Sequence, residues 1–147
     1  MAVTAVVEVQ GHTENGRVLL IEDDPSLTEM YALALEIGGV MVRRASTAAD
    51  GLRLGLHAWA DVILLDIGLP DGSGLQVLEA LRQDPQNGRA RIIIFSNYDD
   101  PATIKRALEL GAAAFVLKSD CTPASLVRMV RSQFGERPGP SPGGLSA

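Results

Sequence analysis

The chain has a single cysteine among its 147 residues, Cys121, so no disulfide can form within it, and a reducing, cytoplasmic setting is expected. His12 and His57 stand at no ligand-like spacing to each other or to Cys121, which leaves the thiol a packing role. Aromatics are scarce, with one Trp, two Tyr and three Phe, so the interior must be aliphatic. Long apolar runs are missing too. The stretch Met1 to Val9 lacks a positive start, is broken by Glu8 and is far too short to span a bilayer, so no membrane partner is expected. Positive charge is in deficit, 13 Lys and Arg against 18 Asp and Glu, for a net charge of -5. Phosphate contacts need a basic face, and these arginines are scattered, so no nucleic-acid partner is expected and any DNA role would require another protein.

What remains is a 46% hydrophobic composition on a length that suits one domain. Residues 1–16 read as a flexible leader. Residues 135–147 are mostly Gly, Pro and Ser, read as a flexible tail that cannot bury enough apolar surface to order itself. The folded domain is therefore expected over residues 17–134.

Within it, short apolar runs alternate with helical patterns. Arg17 to Ile21 ends in Glu22-Asp23-Asp24, and Pro25 opens a helix with Leu27, Met30, Tyr31 and Ala34 on one face, stopped by Gly38-Gly39. Val40 to Val42 is the second strand and Thr47 to about His57 the second helix. Val62 to Leu65 is an unbroken branched run, expected to be a strand buried on both faces, and it stops at Asp66. The next eight residues hold three glycines and a proline, which turn the chain over the sheet edge. A helix over 74–82, a strand Arg91 to Phe95, a helix from Pro101 to Leu110, a strand Ala113 to Leu117 and a helix Thr122 to Phe134 complete the pattern. Asp24, Asp100 and Thr122 each precede a proline and act as caps. Five strands alternating with five helices predict an α/β, doubly wound, flavodoxin-like fold: a five-stranded parallel sheet of order 2-1-3-4-5 with helices on both faces.

In that order the polar strand ends converge at the carboxyl edge: Glu22 and Asp23, Asp66, Ser96 and Lys118. Three uncompensated carboxylates repel one another, so such a cluster holds a cation, and oxygen-only ligands with room for water suit Mg²⁺. A lysine beside them completes an anion site, which fits Asp66 to act as a nucleophile toward phosphorus.

These residues resemble the receiver domain of two-component response regulators over about Arg17 to Phe134. Glu22 and Asp23 match the family's acidic pair, Asp66 its phosphorylated aspartate, Ser96 its switch hydroxyl, Phe115 its switch aromatic and Lys118 its invariant lysine. Asp66-Ile67-Gly68-Leu69-Pro70 followed by Gly74 is similar to the family's turn after the phosphoacceptor. The resemblance implies a signalling phosphoacceptor rather than an enzyme, supplied by a histidine kinase or histidine phosphotransfer protein. With no output domain following in the sequence, a stand-alone regulator that binds a partner or relays the phosphoryl group is expected. Because octahedral Mg²⁺ takes few carboxylates, Asp23, Asp66 and the Gly68 backbone carbonyl are expected as direct ligands, with Glu22 acting through water.

Gly68, Asn97 and Tyr98 flank the acceptor and are expected to modulate it. Two positions depart from the family: Asn97 replaces a usual small residue, and Ser119 follows Lys118 where proline in a cis bond is usual, which bears on the lysine's aim. The alternative is a Mg²⁺-dependent phosphohydrolase with an aspartyl-phosphate intermediate. Such enzymes use a second carboxylate two residues after the nucleophile, and Gly68 stands there.

Overall fold

In the computed structural model, residues 16–85 and 89–134 are described, so the proposed leader and tail lie almost wholly outside the described residues. The chain runs β1 (Arg17–Ile21), α1 (Pro25–Ile37), β2 (Met41–Ala45), α2 (Ala48–Gly55), β3 (Val62–Leu65), β4 (Gly68–Leu69), β5 (Gly72–Ser73), α3 (Gly74–Gln83), β6 (Arg91–Ser96), α4 (Pro101–Glu109), β7 (Ala114–Leu117) and α5 (Pro123–Phe134). The main sheet is parallel with order β2-β1-β3-β6-β7, which is the expected 2-1-3-4-5 among the long strands. The two-residue strands β4 and β5 form a separate antiparallel hairpin where the sequence predicts only a turn.

Period-two alternation sorts the central strands into two cores. Leu19, Ile21, Ile63, Leu65, Ile92 and Ile94 pack with Val77, Leu78 and Leu81 of α3 and with Ala107 of α4. Val18, Leu20, Val62, Leu64, Ile93 and Phe95 pack with Tyr31, Ala32 and Leu35 of α1 and with Leu126 and Val130 of α5. Helices therefore cover both faces, and all four residues of β3 are buried, as its unbroken apolar run predicts.

Two local expectations are corrected. The buried face of α1 is Thr28, Tyr31, Ala32 and Leu35, while Met30 is 40% exposed. This helix is apolar on several sides, so its sequence offers two competing stripes and packing against β1 and α5 selects one. The second strand runs Met41–Ala45 rather than ending at Val42. Arg43 and Arg44 fit there because β2 is an edge strand with solvent on its flank.

The three expected caps are in place. Asp24 accepts from the Ser26 and Leu27 amides at 2.8 and 3.1 Å, Asp100 from the Thr103 amide at 3.0 Å, and the Thr122 hydroxyl from the Ser125 amide at 3.0 Å. Among the described residues no helix is long and apolar enough to cross a membrane.

Candidate functional site

Register builds the site. Ile21 of β1 lies beside Leu65 of β3, so the residues that follow, Glu22 and Asp66, emerge side by side at the carboxyl edge. Strand β6 pairs Ile94 with Leu65 and then runs on to Ser96, which pairs with Leu117, the residue before Lys118. The Lys118 ammonium returns across the tip of β6, 5.7 Å from the Phe95 ring centroid, and reaches both acids. Its Nζ donates to Glu22 Oε1 at 2.5 Å and to Asp66 Oδ2 at 3.1 Å. Phe95 is itself braced by Tyr31 in an edge-to-face pair, with centroids 4.9 Å apart.

Glu22, Asp23 and Asp66 each offer a carboxylate oxygen, and these oxygens lie within 4.8 Å of one another. Glu22 and Asp66 are buried, at 2% and 7% exposure, while Asp23 faces solvent. Burial pushes the Glu22 carboxyl above its ordinary range against the pull of the Lys118 hydrogen bond. Burial alone would lower the Lys118 ammonium, but the hydrogen bond it donates to Glu22 and the charge of Asp66 outweigh it and hold it above the usual lysine range. Three carboxylates against one ammonium leave two negative charges to balance when all are ionised. An all-oxygen donor set with that deficit, open to water on the Asp23 side, fits a hard divalent cation.

The remaining expected residues lie around this centre. The Gly68 amide approaches Asp66 Oδ1 at 3.4 Å. Tyr98, 53% exposed, lies over Gly68 so closely that a Cβ there would sit 3.4 Å from the Tyr98 ring and hydroxyl. Asn97 is exposed beside it. Ser96 is fully buried, and its hydroxyl accepts the Tyr98 amide at 3.0 Å instead of bonding Asp66. Phe115 is half-buried on β7 opposite Ile94 and packs on the core cluster that includes Ala107. The Lys118–Ser119 bond is trans, as no described peptide bond is cis. A single 3₁₀ turn, Lys118–Asp120, follows the strand and still leaves the lysine aimed at both acids.

Two residues support the site, and of these only Thr28 carries no functional signal in the sequence. The Thr28 hydroxyl lies 3.2 Å from the Glu22 carbonyl and 2.9 Å from the Asp24 carbonyl, holding the acidic loop on α1. Its only signal was a hydroxyl one turn inside a capped helix, which usually serves the helix itself. Gly74 starts α3 jammed against the acceptor strand: its amide donates to Ile67 at 2.8 Å, and a Cβ would collide with the Asp66 carbonyl oxygen. Its spacing from Asp66 was legible, whereas the collision was not.

With this geometry in view, the matches to known proteins define the class. Residues 18–131 match the response regulator receiver domain, and the chain belongs to that family. It is 38% identical over 101 residues to the transcriptional regulatory protein KdpE of Mycobacterium tuberculosis, covering 69% of this chain and 43% of KdpE. Among solved structures, the signal receiver domain of the response regulator NarL from Mycobacterium tuberculosis is 34% identical with a TM-score of 0.74, covering 84% of this chain and 98% of that one. The CheY-like receiver domain protein of Methanospirillum hungatei is 26% identical with a TM-score of 0.77, covering 83% and 95%. The chain thus spans less than half the length of KdpE, and the expected stand-alone organisation has no counterpart in that relative.

Proposed function

We propose that this receiver accepts a phosphoryl group on Asp66 from a histidine kinase or histidine phosphotransfer protein, and signals by binding a protein partner or relaying the group onward. The observation that carries this reading is the shared lysine. Lys118 engages Asp66 through Oδ2, and among the described residues Oδ1 has only a long contact to the Gly68 amide. An Asp66 oxygen attacks phosphorus while the bond from phosphorus to the donor's imidazole nitrogen breaks, and that nitrogen keeps the electron pair. Lys118 stands ready to bond an oxygen of the arriving group.

Asp23, Asp66 and the Gly68 carbonyl would hold Mg²⁺ directly, with Glu22 acting through water. When bound, the ion supplies positive charge against the phosphoryl oxygens. Ser96 and Phe115 carry the response, while Gly68, Asn97 and Tyr98 tune access to the acceptor. The receiver surface itself is read as protein-binding: Arg17 and Arg43 lie over Trp59, Arg44 pairs with Glu29 and Arg53 with Asp50, so these cations form no basic stripe. KdpE is named as a transcriptional regulatory protein and is matched over only 43% of its length, so its name alone assigns this chain no nucleic-acid partner.

The test is intact mass after incubation with a small phosphodonor and Mg²⁺. One added phosphoryl group is expected on the native chain and none on Asp66→Asn. Addition that persists in Asp66→Asn would overturn the assignment. Multiple-turnover phosphate release from ordinary phosphomonoesters would point to the hydrolase instead.

A further inference from the structure

Helix α2 is capped twice, and the second cap comes from far along the chain. Its own Thr47 hydroxyl accepts the Asp50 amide at 3.0 Å. The amides of Ala48 and Ala49, the first two of the helix, donate instead to Asp71 Oδ1 and Oδ2 at 2.6 and 3.0 Å. Asp71 sits in the turn between β4 and β5, 22 and 23 residues away from those amides. A helix start leaves several amides without internal partners, and a carboxylate is well suited to them by charge and by its two oxygens. The next residue of the hairpin, Gly72, lies against the same helix, where a Cβ would sit 3.7 Å from that of Ala48.

The segment that receives Asp71 also holds the acidic pair. Ala45, at the end of β2, accepts the Glu22 amide at 2.9 Å. The Asp66 amide in turn donates to Ile21 at 3.1 Å, just before Glu22. Residues 45–49 are therefore a joint with the Glu22–Asp23 backbone tied to one end and the hairpin that begins at Gly68 tied to the other. A local cap such as Thr47 stabilises only its own helix turn. A cap reaching in from the hairpin fixes one loop of the site against another.

We infer that Asp71 is a positioning residue, which holds the Gly68 backbone in register with Glu22 and Asp23 and so sets the affinity of the site for a divalent cation. It acts through α2 and touches neither the cation nor the phosphoryl group. This inference rests on the metal assignment made under the proposed function. Thr47 supplies the control, because Thr47→Ala weakens the same helix terminus without releasing the hairpin.

The experiment combines calorimetric Mg²⁺ titration of the full chain with amide exchange of the metal-free protein, for the native protein, Asp71→Ala, Asp71→Asn and Thr47→Ala. Asp71→Ala is expected to speed exchange of the Gly74 amide and to weaken Mg²⁺ binding about tenfold, the lower end of what loss of a ligand's support costs. Asp71→Asn, which keeps one acceptor oxygen, should fall between Asp71→Ala and the native protein. Thr47→Ala should leave both readouts near native. Unchanged Mg²⁺ affinity in Asp71→Ala would overturn the inference, as would an equal loss in Thr47→Ala, which would reduce Asp71 to an ordinary cap. A native protein that binds no Mg²⁺ would overturn the metal assignment and the inference together, whereas native-like binding in Asp71→Ala overturns the inference alone.

Discussion

Lys118 lies closer to Glu22 than to Asp66, with its ammonium 2.5 Å from Glu22 Oε1 and 3.1 Å from Asp66 Oδ2. The lysine is thus shared, and it leans toward Glu22 rather than toward the proposed phosphoacceptor. It offsets part of the repulsion within the acidic cluster, the same task a bound cation would perform.

Opposite effects on Mg²⁺ affinity are therefore expected from two substitutions. Asp23→Ala removes a proposed, exposed ligand and should weaken binding strongly, whereas Lys118→Ala removes a competing positive charge and should strengthen it while abolishing efficient phosphorylation. Binding to the folded state alone raises stability, so Mg²⁺ should lift the thermal midpoint of the native protein and much less that of Asp23→Ala. A calorimetric titration showing equal affinity in native and Asp23→Ala proteins would contradict the ligand set.

Phosphoryl lifetime is expected to be long. Gly68 has no side chain to orient an attacking water, and Tyr98 lies directly over it. Truncation by Tyr98→Ala should shorten the half-life by up to about tenfold, equivalent to about 1.4 kcal/mol of barrier. Decay of the phosphorylated mass over time measures this, and an unaltered half-life would remove the shielding role.

The response should pass through Ser96 and Phe115 together. Ser96 accepts the Tyr98 amide and keeps its own proton to donate, so a phosphoryl oxygen on Asp66 that captured this proton would draw the Ser96–Tyr98 loop inward as one piece. Phe115, half-buried on the neighbouring strand, would follow into the space left behind. As a Phe it can be buried without a polar partner, so packing holds the active state. Moving such an equilibrium from about 1:99 to 99:1 takes roughly 5.5 kcal/mol, more than one neutral hydrogen bond supplies, so Lys118 must share in it. Partner affinity measured with and without a phosphoryl mimic should lose its phosphorylation-dependent gain in Ser96→Ala and in Phe115→Ala. Full retention in both would exclude this route.

The pH dependence of stability should carry the mark of Asp100. Its hydrogen bonds with the Thr103 hydroxyl and amide hold the carboxyl below its ordinary value of 3.8. A carboxylate depressed in the folded state contributes stability that is present above that ordinary value and is lost as pH falls through the folded one. Urea midpoints should thus fall less steeply below about pH 4 in Asp100→Asn than in the native protein. Parallel curves would show that the cap does not titrate with folding.

Much of this was legible in the chain itself. Val62 to Leu65 had to be an interior strand because it is branched and apolar without a break, and it had to end at Asp66 because nothing apolar follows. The caps at Asp24, Asp100 and Thr122 were legible because their partners lie only two or three residues away. The polar strand ends were likewise visible, and parallel topology forces them to one edge.

Only the tertiary structure decided how those ends share their charges. Glu22 and Lys118 are 96 residues apart, and no local pattern says that the lysine favours Glu22 over Asp66. Asp71 lies in the stretch that the sequence predicts only to turn the chain, and nothing local says that its carboxylate caps α2. The buried stripe of α1 was undecided for a related reason, since a helix apolar on several sides takes its inner face from what packs against it. Sequence determined which groups stand at the sheet edge because hydrophobic period and turn chemistry act locally. Register and packing determined which of them touch, because contacts across many tens of residues exist only once the sheet has formed.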